Sequence, residues 1–329
     1  MKTFFQLLLI LSLGLIFWLG YALLDPIAPS GQKLVTFKPG TSTRQIAAEL
    51  ERAGTIRNAN AFLLLYAASG RRTLKAGEYS FERPANAFEI HDRLVRGDVF
   101  VRSVVIPEGF NMFDVADALQ AAKVCSRDEF LKVARSDVSL IADLDPQART
   151  LEGYLFPDTY RFSPIQGAHD VAALMIKRFR QATAAIGLTS DVHRIVTLAS
   201  IVEKETSVAE ERPLVAGVFE NRLAQHIGLA TDPSVIYASK LIGKFDGSIH
   251  QSDLKLDSPY NTYKYADLPP GPIANPGLES LKAALHPTPT DYLYFVANNR
   301  GGHNFSRTME EHNRNVAQYR RELGTTTNH

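Results

Sequence analysis

The sequence predicts an α+β protein held to a membrane by one N-terminal helix. Three observations lead there: an uncharged run from Phe4 to Leu24, repeated apolar runs that end at Pro/Gly turns ahead of amphipathic helices, and long helical periodicities after residue 101. With 329 residues, 45% hydrophobic and 22% charged, the chain is long enough for two domains of ordinary globular composition. A net charge of +1 gives no electrostatic basis for a nucleic-acid partner.

The N-terminal run, FFQLLLILSLGLIFWLGYALL, has the roughly twenty apolar residues that a helix needs to cross a bilayer core. Lys2 precedes it, favouring a cytoplasmic N-terminus and an exported remainder. A cleaved signal peptide is the rival reading. Its apolar part is normally shorter, about 7–15 residues, and LDPIAPSGQ is a poor cleavage site. An uncleaved anchor is therefore expected. Residues 1–3 form the cytoplasmic end, 4–24 the anchor, 25–32 a short proline-bearing linker, 33–100 a small subdomain and 101–329 a larger domain. Cys125 is the one cysteine, so no internal disulfide can staple the exported part.

After the linker come three strand-turn-helix units, VTFKPGTSTRQIAAELERAG, YSFERPANAFEIHDRLVRG and SVVIPEGFNMFDVADALQAA. Their β-rich runs end at Pro39, Pro84 and Pro107, and their helical stripes run through Ile46 and Leu50, Ile90 and Leu94, and Val115 and Leu119. They read equally as a repeat or as three ordinary connections. Helical patterns then cover 112–134 and 168–185, and the helix through Ile195 continues, after Pro213, into LVAGVFENRLAQ. From Gly228 to Gly277 turn chemistry dominates. The tyrosines of that stretch argue against disorder, and long ordered loops usually carry function.

The segment TLASIVEKETSVAEERP holds the sharpest chemical signal. Ile195, Leu198, Ala199 and Val202 form an i, i+3, i+4, i+7 stripe. At about 100° per residue, Glu205 falls about 60° from Val202, whereas Glu203 lies about 100° away and Lys204 nearly opposite. Glu205 therefore faces inward, where desolvation raises a carboxyl pKa toward the range of a general acid. The plainer reading is a helix-end carboxylate paired with Lys204 or Arg212.

LEGYLFPDTYRF, ASIVEKET, VFENRL, TDPSVIYA, SPYNTY, LPPGPIANPG and YLYFVANNRGGHNFS together resemble, in order and spacing, the endolytic murein transglycosylases of the YceG-like, or MltG, family. That resemblance implies a membrane-anchored enzyme that cuts peptidoglycan glycan strands internally, with its catalytic domain in the periplasm. It places the single catalytic glutamate at Glu205, followed by Thr206, and suggests partners among the peptidoglycan synthases, the penicillin-binding proteins. FKPGTSTRQIAAEL, NANAFLLLYAAS and GEYSF also resemble a LysM module, a small βααβ glycan-binding domain. A structural spacer is the alternative for that part.

The chemistry agrees with the helical phase. A neutral glutamic acid can protonate the leaving oxygen of the MurNAc–GlcNAc bond. Once ionised, it can take the proton from the substrate's own C6 hydroxyl, closing a 1,6-anhydro ring without activated water, metal or cofactor. Candidate substrate-binding residues are Tyr237, Tyr260 and Asn261, then Asp232, Tyr154, Asp158, Tyr160, Tyr263 and Asn275, types that stack on sugars or bond their hydroxyls. Each alone reads more readily as structural than as catalytic. His286 and His303 lack the spacing of a metal site. Rival functions are a lysozyme-like hydrolase using Asp232 or Asp158 as second carboxylate, a non-catalytic peptidoglycan-binding anchor, and a pyridoxal-phosphate lyase. The last would need a Schiff-base lysine, and Lys204 is phased away from the stripe.

Overall fold

The computed structural model describes residues 2–163 and 166–326. The chain forms two compact units, Met1–Ser103 with Arg161–Gln166, and Val104–Tyr160 with Gly167–His329. In the first, helix α1 (Lys2–Leu24) is exposed along almost its whole apolar length and is long and apolar enough to cross a membrane. A membrane anchor and a signal sequence share this form.

Strand β1 (Lys33–Phe37), helices α2 (Thr43–Arg52) and α3 (Ala59–Ala68), and strand β2 (Gly77–Phe81) follow, with β1 and β2 antiparallel from Lys33↔Phe81 to Phe37↔Gly77. Helix α4 (Ala87–Arg96) completes the unit. Ser42 with Gln45 and Asn86 with Glu89 form capping boxes that start α2 and α4, and Gly97 ends α4 in the left-handed region at φ 74°. Phe37, Leu50, Phe62, Tyr79, Ile90 and Leu94 close the core.

Strands β3 (Arg102–Val105) and β4 (Thr159–Phe162) lie in the segments where the chain passes from one unit to the other. Between them run α5 (Met112–Ala121) and α6 (Arg127–Ser136). The single helical pattern expected over 112–134 is thus two helices. Lys123 takes a left-handed φ of 56°, and the Ser126–Glu129 capping box opens a new helix. Helix α7 (Ala168–Ala185) coincides with its periodicity.

Helix α8 (Val192–Glu205) is the core of the second unit, with Val196, Leu198, Ala199, Ile201 and Val202 fully buried. Thr206 is extended and its Oγ1 accepts from the Val208 N–H, so α8 stops at Glu205 rather than running on. Helix α9 (Arg212–Ala224) starts afresh with Pro213 in its first turn, where a missing N–H costs nothing. The stretch read as loops contains helix α10 (Asp232–Leu241), whose Asp-Pro start is a helix N-terminus rather than a turn. Helix α11 (Leu278–Leu285) packs on α8 and α9. The antiparallel pair β5 (Tyr294–Ala297) and β6 (His303–Ser306) leads into α12 (Met309–Thr326).

Candidate active site

Because α8 ends at Glu205, the carboxyl sits where a buried helix reaches the surface. It opens into a cavity of about 670 Å³ whose wall also holds Arg222 of α9, Asp232 of α10, Tyr263, Phe295 of β5 and His312 of α12. Glu205 Oε1 is buried and has no hydrogen-bond partner among the described residues. Burial chiefly, and then the charge of Asp232, push its pKa up to about 7, against an opposing pull from Arg222. A carboxyl of this kind keeps its proton near neutrality and can donate it.

Arg222 does not neutralise it. Its Nε donates to the Leu293 carbonyl at 2.6 Å and its Nη1 to the Leu229 carbonyl at 2.8 Å, so the guanidinium fastens the strand and the loop that frame the cavity. Asp232 Oδ1 accepts from the Tyr263 phenol at 2.6 Å. Lys204, phased away from the apolar stripe, nonetheless reaches the cavity rim, with its Nζ 3.3 Å from the Gly109 carbonyl.

The sequence placed Glu203 off the buried face, and that expectation is corrected. Its side chain is only 6% exposed, accepting from Arg212 at 3.2 Å and from the Gly277 N–H at 2.9 Å. Residues outside α8 cover this side of the helix, which helical phase cannot register. Arg212 therefore pairs with Glu203 and not with Glu205.

Of the candidate binding residues, only Asp232 and Tyr263 reach the cavity. Tyr154 is buried, with its phenol bonded to Asp145, which also pairs with His193. Tyr160 is buried and donates to the Phe156 carbonyl. Asp158 pairs with Arg178 at 2.6 Å. Tyr237 is buried between Phe113 and Tyr260, and Asn261 donates to the Leu254 and Leu256 carbonyls. Asn275 is fully buried: its Oδ1 accepts from the Gly153 and Leu155 N–H groups, and its Nδ2 donates to the Phe110 carbonyl and to Glu152. Glu152, whose pKa burial pushes up to about 8, also accepts from the Met112 N–H at the start of α5. These residues hold the loops behind the site rather than line it. His303 pairs with Glu211 at 2.6 Å, and His286 is exposed at the end of α11.

Arg222 and His312 were not among the candidates, though each leaves a trace in the sequence. Arg222 falls on the apolar stripe of Val215, Val218 and Phe219, and His312 shares a phase with Val316 and Tyr319. A polar residue on an apolar face is the readable signal in both.

Fold and site together define an α+β protein with one proton-holding carboxyl in an open polar cavity. The YceG-like family matches residues 35–318, and the chain belongs to that family. A Bacillus subtilis protein named endolytic murein transglycosylase is 32% identical over 332 residues, 94% of this chain and 91% of that relative. One of the same name from Streptococcus pneumoniae serotype 2 is 31% identical over 355 residues, 96% of this chain and 64% of that longer relative. The crystal structure of a yceG-like protein from Listeria monocytogenes is similar with a TM-score of 0.56 at 35% identity, covering 86% of this chain and 98% of that one.

Proposed function

We propose that this protein is an endolytic transglycosylase of peptidoglycan in which Glu205 serves first as acid and then as base. The observation that carries the reading is the unpaired, buried Oε1 of Glu205 in a cavity wall, on a carboxyl that holds its proton near neutral pH. Protonated Glu205 gives its proton to the glycosidic oxygen as the bond to C1 of MurNAc breaks, and the GlcNAc chain leaves as an alcohol. The C6 hydroxyl of the same MurNAc then attacks C1, and its proton passes to the Glu205 carboxylate. The strand ends in 1,6-anhydro-MurNAc, no water is consumed, and the glutamic acid is regenerated. Intramolecular attack favours this route, since the nucleophile is already at hand.

The names of the relatives support murein as the substrate and internal cleavage as the mode. Helix α1 supports attachment to the inner membrane with the rest of the chain in the periplasm. The order β1–α2–α3–β2 is compatible with a LysM-like unit that binds N-acetylated glycan. Association with penicillin-binding proteins belongs to the same reading and rests on family resemblance.

A second reading, a two-carboxylate hydrolase, draws on Asp232 in the same cavity wall. Asp158 offers it nothing, being tied to Arg178. Incubating purified glycan strands with wild type and Glu205→Gln tests for catalysis at this carboxyl. The variant should bind strands but cleave them slower by about 10³-fold or more. Cleavage at the wild-type rate would remove Glu205 from the chemistry.

A further inference from the structure

Glu205 is not the only residue of the cavity with an unmet polar atom. His312, from the first turn of α12, lines the same cavity, and its Nδ1 is buried without a partner among the described residues. Buried polar atoms are nearly always paired, so two unpaired ones on side chains that line one cavity are atoms for which a bound molecule can supply the missing partners.

The ring is held for such a task. His312 packs on Tyr294 with centroids 5.4 Å apart and planes 32° from parallel, and the Arg222 guanidinium lies on the same tyrosine, 5.1 Å from its centroid. Arg222 is itself fixed by the carbonyls of Leu229 and Leu293. The imidazole plane is therefore set by packing before any ligand arrives. Burial, with the nearby Arg222 charge, lowers the imidazole pKa from its usual 6.5, which leaves a neutral ring to offer a hydrogen bond rather than a charge.

We propose that His312 is a substrate-binding residue of this site, its Nδ1 bonding a hydroxyl or acetamide of the N-acetylhexosamine that Glu205 acts upon. The inference rests on the glycan reading above. It gives the cavity two fixed points: Glu205 at the bond that breaks, and His312 on the sugar that must be oriented for it. A hydroxyl or amide can meet Nδ1 in either tautomer of the ring, since each group both donates and accepts.

The test compares His312→Ala and His312→Asn in the full chain on purified peptidoglycan glycan strands. Asparagine places an amide atom one bond beyond Cγ, where Nδ1 lies, so it can replace the hydrogen bond without the ring. His312→Ala should lower kcat/KM by about 30-fold, and His312→Asn should recover to within about fivefold of wild type. In the Glu205→Gln background, where turnover is absent, His312→Ala should weaken strand binding by about tenfold while His312→Asn restores it. Inactive Glu205→Gln beside a His312→Ala enzyme within about twofold of wild type overturns the inference and leaves the glycan reading standing. Loss in both His312 variants, with Tm falling by more than about 5 °C, assigns the ring to structure and also overturns it. Full activity of Glu205→Gln brings down the function reading, and the inference with it.

Discussion

The Tyr263 phenol donates to Asp232 Oδ1 across 2.6 Å, in the wall of the cavity that also holds Glu205. After burial, the charge of Asp232 is the next cause that raises the pKa of Glu205. Removing the charge should therefore lower that pKa. In Asp232→Asn the alkaline fall of kcat/KM should move to lower pH by up to about one unit, with activity at acid pH kept within about tenfold. A loss of about 10³-fold at every pH would instead make Asp232 a second catalytic carboxylate.

The proton on Glu205 also links stability to pH. Its folded-state pKa of about 7 lies above the ordinary value of 4.5. The proton-linked stability is fully present below about pH 4.5 and is lost as pH rises through about 7, where burying the carboxylate costs roughly 3 kcal/mol. Glu205→Gln, which carries no charge, escapes this loss. Relative to wild type it should gain stability between pH 5 and pH 8 in denaturant titrations; a difference that does not change with pH contradicts the assigned shift.

Glu205 was legible in the sequence because the apolar stripe of α8 is long and regular, so its phase fixes what the last turn faces. Glu203 was not, because Arg212 and Gly277 arrive from outside the helix and bury a side that periodicity leaves polar. Tyr237, Asn261 and Asn275 have the residue types of a sugar site, yet residue type says nothing about which carbonyl or N–H a folded loop will present. Helix α10 was hidden among turn residues, since Asp-Pro is as good at opening a helix as at making a turn. The β1, α2, α3 and β2 elements were readable from local signals, because capping boxes and short apolar alternation act within a few residues.

Asn275 meets four partners through one amide, two N–H groups, a carbonyl and Glu152. Asn275→Ala leaves the Gly153 and Leu155 N–H groups without their acceptor, while the Phe110 carbonyl keeps the Asn275 backbone N–H and Glu152 keeps the Met112 N–H, and stability should fall by about 2 kcal/mol or more. Calorimetry should show the loss while the folded fraction retains most of its specific activity. Unchanged Tm with lost cleavage would move Asn275 from scaffold to substrate contact.

Glu203→Gln separates structure from chemistry in the same helix. The amide oxygen can still accept from the Gly277 N–H, but Arg212 loses its nearer, buried counter-charge and keeps only the Glu108 carboxylate at 3.8 Å, at a cost of about 1–3 kcal/mol. Activity per folded molecule should stay within about fivefold of wild type. Abolished cleavage in a stably folded Glu203→Gln protein would contradict the assignment of roles along α8.

The chemical identity of the strand ends produced by the wild-type enzyme tests the account most directly. One carboxyl acting as acid and then base, with the substrate's C6 hydroxyl as nucleophile, predicts 1,6-anhydro-MurNAc ends in a mass spectrum of the digest, formed equally well with chelator present. Reducing MurNAc ends, heavier by about 18 mass units for the added water, would show hydrolysis and contradict the single-glutamate mechanism.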